Sequence, residues 1–238
     1  MVVPTPTPTP TTARRAQQRG LDTRRELLDA ALQEFASVGF DAASTRNIAA
    51  RADVRQGQLT YHFETKDLLW RATVDHLFER FDAELSDATS SVGAARQGDA
   101  VAAFELTIRA LVRAVSRLPE LNRVMVHEAT ADSERLTWLV DRHVRSRFDE
   151  LSTLWTQVMA AGGTHLSADP LVLYYCLLGA ASLLYVNAPE AQLLRGAEAS
   201  PGAVADSLVQ AHADTLVAMF LGPRSTRAAH PSTRQKGP

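Results

Sequence analysis

The chain has 238 residues, 45% of them hydrophobic and 22% charged, with a net charge of −2, so it can build a packed core and its total charge selects no class of partner. Its single cysteine, Cys176, excludes an intrachain disulfide. Neither the start nor the longest apolar run, 171–186, has the pattern of a signal peptide or the ~18 residues of a membrane span, and a soluble cytoplasmic protein is expected. The charge is unevenly spread: residues 13–71 are mildly basic, 72–221 acidic and 222–238 basic. The acidic middle argues against that part lying on DNA or on an anionic membrane.

Residues 1–12 are a Thr/Pro alternation followed by Arg14, Arg15 and Arg19, and residues 1–20 are expected to be a disordered basic arm. A first helix is predicted from Thr23, capped by the Thr23–Glu26 pair, to a stop at Gly39. Its apolar face holds Leu27, Leu28, Ala31, Leu32 and Phe35. A short helix over 46–52 with Thr45 as cap follows, then a break at Asp53-Val54-Arg55 and a second short helix over 56–62. Thr65 caps a long helix from Lys66 to about Ala88. Further helices are predicted over 100–118, 121–129, 133–161, 170–186 and 201–221. Pro170 and Pro201 stand at first helical positions behind Asp169 and Ser200, and Gly222-Pro223 end the series. No strand pattern or internal repeat is present. The basic tail 223–238 is expected to be disordered.

The second short helix carries Gln56, Gly57, Gln58, Thr60, Tyr61 and His62 on the face away from Leu59 and Phe63. Two short helices across a tight turn, behind a supporting helix, form the helix-turn-helix plan, whose second helix enters the major groove. Gln can pair with adenine, Thr can meet a thymine methyl, and Tyr and His can donate to phosphates. Gly57 removes a side chain where the helix start must approach the DNA backbone. This polar face therefore fits a DNA partner better than it fits the chain's own interior.

The stretches "ALQEFASVGFDAASTRNIAARADV", "GQLTYHF" and "ETKDLL" give residues 23–71 a close resemblance to the N-terminal domain of the TetR family of bacterial transcriptional repressors. The resemblance implies an all-α homodimer: a helix-turn-helix domain over 21–67 joined to a larger helical ligand-binding and dimerisation domain over 68–222. It implies that Thr45 and Arg46 meet phosphate or base, and that Gln56 and Gln58 read bases. By the same resemblance Tyr61 and His62 contact the backbone, and Lys66 binds phosphate beside a helix N-terminus. Thr60 departs from the usual Tyr, which bears on the operator sequence.

In the second half, "LVLYYCLLGAASLLYV" is apolar all round and must be covered on several sides, with Cys176 read as a small core residue. Paired with the last helix and its symmetry mate it would make a four-helix interface through Leu178, Ala181, Ser182, Tyr185, Leu208, Ala211, His212, Thr215 and Met219. Arg123, His127, Trp138, Trp155, Tyr174 and Tyr175, polar or aromatic on otherwise apolar helices, are the candidate lining of a pocket for a small lipophilic ligand. "HEATA" at 127–131 lacks the second histidine of a zinc-protease motif, and the remaining histidines show no metal-ligand spacing. "DRHVRSRFDE" is expected to be a solvated, salt-bridged face. No nucleophile motif, phosphate loop or paired carboxylates indicate an enzyme, and no cofactor is expected. The function expected is a dimeric, ligand-released repressor binding operator DNA; the alternative is a DNA-binding dimer without ligand response, or an activator.

Overall fold

The computed structural model describes residues 10–90, 98–196 and 204–222, and all regular structure among them is helical. In chain order the helices are α1 (Pro10–Ala42), α2 (Thr45–Arg51), α3 (Gln56–His62), α4 (Lys66–Ser90), α5 (Ala100–Arg117) and α6 (Pro119–Ala129). There follow α7 (Glu134–Leu139), α8 (Arg145–Ala160), α9 (Pro170–Val186), α10 (Ala188–Arg195) and α11 (Asp206–Leu221). A π-helical turn, Val140–Val144, joins α7 to α8.

α1 starts thirteen residues before the predicted start at Thr23. The Thr23–Glu26 pair therefore lies inside a helix rather than capping one, and residues 10–20 are helical, not a disordered arm. The Ala, Gln and Arg residues of 13–19 are good helix formers, and they extend the turns that the packed part of α1 has already nucleated. Residues 1–9 and 223–238, also expected to be disordered, lie outside the described residues. At the other end Gly39 has φ 74° and breaks the helix as predicted. A Cβ there would come within 3.2 Å of the His127 ring on α6, so both backbone conformation and packing call for glycine.

α2 is capped by Ser44, whose hydroxyl accepts from the Asn47 amide, not by Thr45. α4 begins as predicted, with Thr65 Oγ1 accepting from the Leu68 amide at 3.1 Å. α9 has the predicted bounds and its Asp169 cap; α11 is described from Asp206, the predicted start at Pro201 and its Ser200 cap lying outside the described residues, and α10 was not predicted.

One apolar core runs from Leu27, Phe35, Ile48 and Leu59, through Trp70 and Leu77, to Phe104, Trp155, Leu173 and Phe220. α4 crosses from the first part to the second and is tied on three sides. Asp29 of α1 pairs with His76 at 3.0 Å and Arg80 at 3.2 Å; Asp75 meets Arg142 at 2.5 Å and His143 at 2.8 Å; Glu84 accepts from Arg117 at 2.6 Å. Among the described residues no single helix is long and apolar enough to cross a membrane; α9 and α10 reach that length only together, across a 67° bend.

Candidate nucleic-acid interface

The site is built by the turn between α2 and α3. Asp53 takes φ 53°, the one positive φ at a non-glycine among the described residues, a conformation that Asp tolerates better than most residues. The Val54 amide then donates to the Ala49 carbonyl at 3.0 Å, and Leu59 joins Ile48 and Ala49 in the core. Leu59 and Phe63 are buried and fix the rotation of α3, so that Gln56, Gly57, Gln58, Thr60 and Tyr61 are exposed and His62 half-exposed. Tyr61 is 85% exposed, with its ring edge against His62.

Several of these side chains already have intramolecular work. Gln56 Nε2 donates to Thr45 Oγ1 at 3.1 Å, joining the starts of the two helices. Gln58 Oε1 accepts from the Arg55 amide at 3.2 Å and closes the first turn of α3. Thr60 Oγ1 donates back to the Gln56 carbonyl at 3.1 Å. Lys66 Nζ donates to the Asp41 carbonyl at 3.1 Å and lies 4.7 Å from the Phe40 ring, so it ties the end of α1 to the start of α4. Gly57 is different: a Cβ there meets nothing within 4 Å. The chain's own packing gives no reason for a glycine in the first turn of α3.

Sequence reasoning missed Glu34. It is buried, and Oε1 accepts from the Ser44 amide at 3.3 Å and from Asn47 Nδ2 at 3.1 Å, fixing α2 to α1. A glutamate among apolar residues of α1 was the available signal. Arg55, exposed at the head of α3, was read only as part of the break.

This arrangement is matched by known proteins. The family described as "Bacterial regulatory proteins, tetR family" matches residues 27–73. The N-terminal part of this chain belongs to the tetR family. The tetR match covers α1 from Leu27, both short helices and the start of α4, the segment whose geometry is described above. The HTH-type transcriptional repressor KstR2 of Mycobacterium tuberculosis is 30% identical over 143 residues, which are 58% of this chain and 66% of that protein; the chain thus spans just under two thirds of the relative's length. The HTH-type transcriptional repressor Rv3405c of the same organism is 45% identical over 65 residues, 25% of this chain and 35% of that one. The fatty acid degradation regulator FadR from Bacillus halodurans has the same fold, with a TM-score of 0.55 at 16% identity over 82% of this chain and 94% of that one. The tetR family and these relatives are regulators, not enzymes.

The residues expected to line a ligand pocket do not converge. Trp155 is fully buried and donates to the Ala168 carbonyl at 3.0 Å; it is a core residue. His127 is on the surface over Gly39. Trp138 packs edge-on against Trp70, between Arg71 and Arg142. Tyr174 is half-buried against Phe148, and burial pushes its hydroxyl above the usual range, while its neighbour Tyr175 points outward and is 66% exposed. Of the six, Arg123 lines a 350 Å³ cleft with Gln33, Ala36, Ser37 and Arg51.

The expected dimer residues divide. Ala181, Ser182 and Tyr185 are buried within the chain: Ser182 accepts from Asn122 Nδ2 at 2.9 Å, and the Tyr185 hydroxyl lies 3.0 Å from His212 Nδ1. Leu178, Leu208 and His212 are half-buried, and Ala211, Thr215 and Met219 are exposed. The bare stripe of α9 is instead Leu171, Val172, Tyr175, Cys176, Gly179 and Leu183, so Cys176 is not in the core. "DRHVRSRFDE" holds the expected Asp141–Arg145 pair at 3.0 Å, but its His143 is buried and stacks on Phe78 at 4.3 Å. His143 is the buried residue of the π-helical turn.

Proposed function

We propose that the chain is a dimeric, sequence-specific DNA-binding repressor, released from its operator by a small molecule. The observation that carries the DNA part is the outward face of α3. Leu59 and Phe63 lock it in place, its polar side chains are exposed, and it holds a glycine with open space in front of it, inside a tetR-family domain. A groove that brings phosphates close to the start of α3 supplies the missing reason for Gly57. Thr45, Arg46, Tyr61 and His62 then contact the backbone; Gln56, Gln58 and Thr60 face base edges. Lys66, held by the Asp41 carbonyl, buttresses the α4 N-terminus. KstR2 is named as a repressor, which favours repression over activation.

Dimerisation is supported by the bare stripe of α9 beside the exposed Ala211, Thr215 and Met219 of α11. A row of Leu, Val and Tyr of this kind is costly to leave in water, and a symmetry mate would cover it. Two recognition helices then meet half-sites one helical turn apart, on the order of 34–36 Å. Ligand release is supported by the placing of α4: it carries the DNA-binding domain at one end and is strapped by Asp75 to Arg142 and His143 at the π-helical turn, so a change there is transmitted along one rigid rod.

The test is a mobility-shift titration with the gene's own upstream region. A shifted complex with twofold protection of a palindrome supports the reading; no binding to any upstream fragment at low salt overturns it. A second reading, a DNA-binding dimer without ligand response, is favoured by the scatter of the six pocket candidates. A thermal-shift screen separates the two, since a ligand bound only by the folded state raises the melting temperature.

A further inference from the structure

We propose that the cleft between α1, α2 and α6 is an anion site that binds the carboxylate or phosphate group of a small molecule. The cleft, about 350 Å³, is lined by Gln33, Ala36 and Ser37 of α1, Arg51 of α2 and Arg123 of α6, so arginines from two different helices border one space. Among the described residues neither has a carboxylate within hydrogen-bond distance. Arg123 is half-buried, and its hydrogen bond is a long one, 3.4 Å to the Val186 carbonyl. Arg51, itself exposed, reaches Glu34 Oε2 only at 3.9 Å, an ion pair too long for a hydrogen bond, while Glu34 Oε1 accepts from Ser44 and Asn47.

Other partly buried arginines in the chain behave differently. Arg109, Arg135 and Arg147 each meet a carboxylate at 3.2 Å or less. A guanidinium withdrawn from water has five donors to satisfy and cannot lose its charge. Arg123 has kept the cost of burial without the usual compensation. An oxyanion in the cleft supplies it, accepting from both arginines in the paired geometry that guanidinium groups offer to carboxylate and phosphate, with the Ser37 hydroxyl at the rim as a further donor. The volume admits a metabolite rather than a polymer. Because Arg51 belongs to the DNA-binding helices and Arg123 to the large domain, an occupant clamps one to the other.

The test uses the full chain and reads thermal unfolding, so its outcome is independent of whether the protein binds DNA. Unfolding is followed in inorganic phosphate, in succinate and in chloride at matched ionic strength. At roughly ten times the dissociation constant, phosphate or succinate raises the melting temperature by about 3–5 °C over chloride; which anion does so identifies the group recognised. The rise is lost in Arg123→Gln and in Arg51→Gln and persists in Arg113→Gln, a change at an exposed arginine of α5. Ser37→Glu, which puts a carboxylate at the cleft, raises the melting temperature in chloride and abolishes the response to the anions. This variant keeps the proposal testable if an arginine variant loses helical content. An equal effect of all three salts, or a rise unchanged in Arg123→Gln and Arg51→Gln, overturns the proposal.

Discussion

Gly57→Ala separates the needs of the fold from those of a partner. Gly57 is the second residue of α3, its φ lies outside the left-handed region, and an added Cβ meets nothing within 4 Å. The fold should therefore welcome alanine. Glycine costs a helix interior roughly 0.5–1 kcal/mol relative to alanine, and the first turn should feel about half of that. A gain of ~0.5 kcal/mol corresponds to about 1–2 °C in melting temperature for a chain of this size. On DNA the methyl group would intrude on a close approach, an overpacking cost of about 1–3 kcal/mol, or roughly 5- to 150-fold in affinity. Calorimetry and fluorescence-anisotropy titration with the operator measure the two effects on one sample. A higher melting temperature with weaker binding is expected. A lower melting temperature would refute the packing argument, and a higher one with unchanged affinity would refute the placement of DNA at Gly57.

Arg46→Ala should weaken binding to all sequences alike and reduce the salt slope by about one, as loss of one phosphate contact requires; a sequence-selective loss would make Arg46 a base reader instead. Glu34→Ala should lower stability by about 1–2 kcal/mol, because it removes the buried acceptor of two part-buried hydrogen bonds that hold the start of α2 to α1, read as a shifted urea midpoint at constant slope. Leu183→Glu, in the bare stripe of α9, should give monomers in sedimentation and abolish tight operator binding; a dimer that persists would place the interface elsewhere. Burial lowers the proton affinity of His143 and His212, so protonation favours the unfolded chain. The corresponding stability is present above pH ~6.5 and is lost as pH falls through the lowered folded values. At the alkaline end, burial pushes Tyr185 up to about 12, so the folded state resists its ionisation and stability is lost between pH ~10 and that value. Denaturant titrations across pH, with Tyr185→Phe flattening the alkaline limb, check both.

The sequence by itself determined the helix-turn-helix segment. Leu59 and Phe63 stand at helical spacing opposite Gln56, Gln58 and Thr60, so the inward and outward faces of α3 follow from periodicity, and the stops at Gly39 and Gly222 and the caps at Thr65 and Asp169 are local chemistry. α9 was different. A helix apolar on every side has no periodicity to say which face is covered, so Ala181, Ser182 and Tyr185 were expected at an interface. Asn122, His212 and the packing of α6 and α11 turn those three inward and leave Tyr175, Cys176 and Leu183 bare. Trp155 and Glu34 mislead for a related reason: a tryptophan or a carboxylate on an apolar face is explained by the distant atom it bonds, the Ala168 carbonyl or the Ser44 amide, and sequence spacing does not encode that atom. Local rules set the elements and their ends. Which side of an unpatterned helix is buried, and which polar group is satisfied within the chain, is a property of the neighbours that tertiary packing supplies.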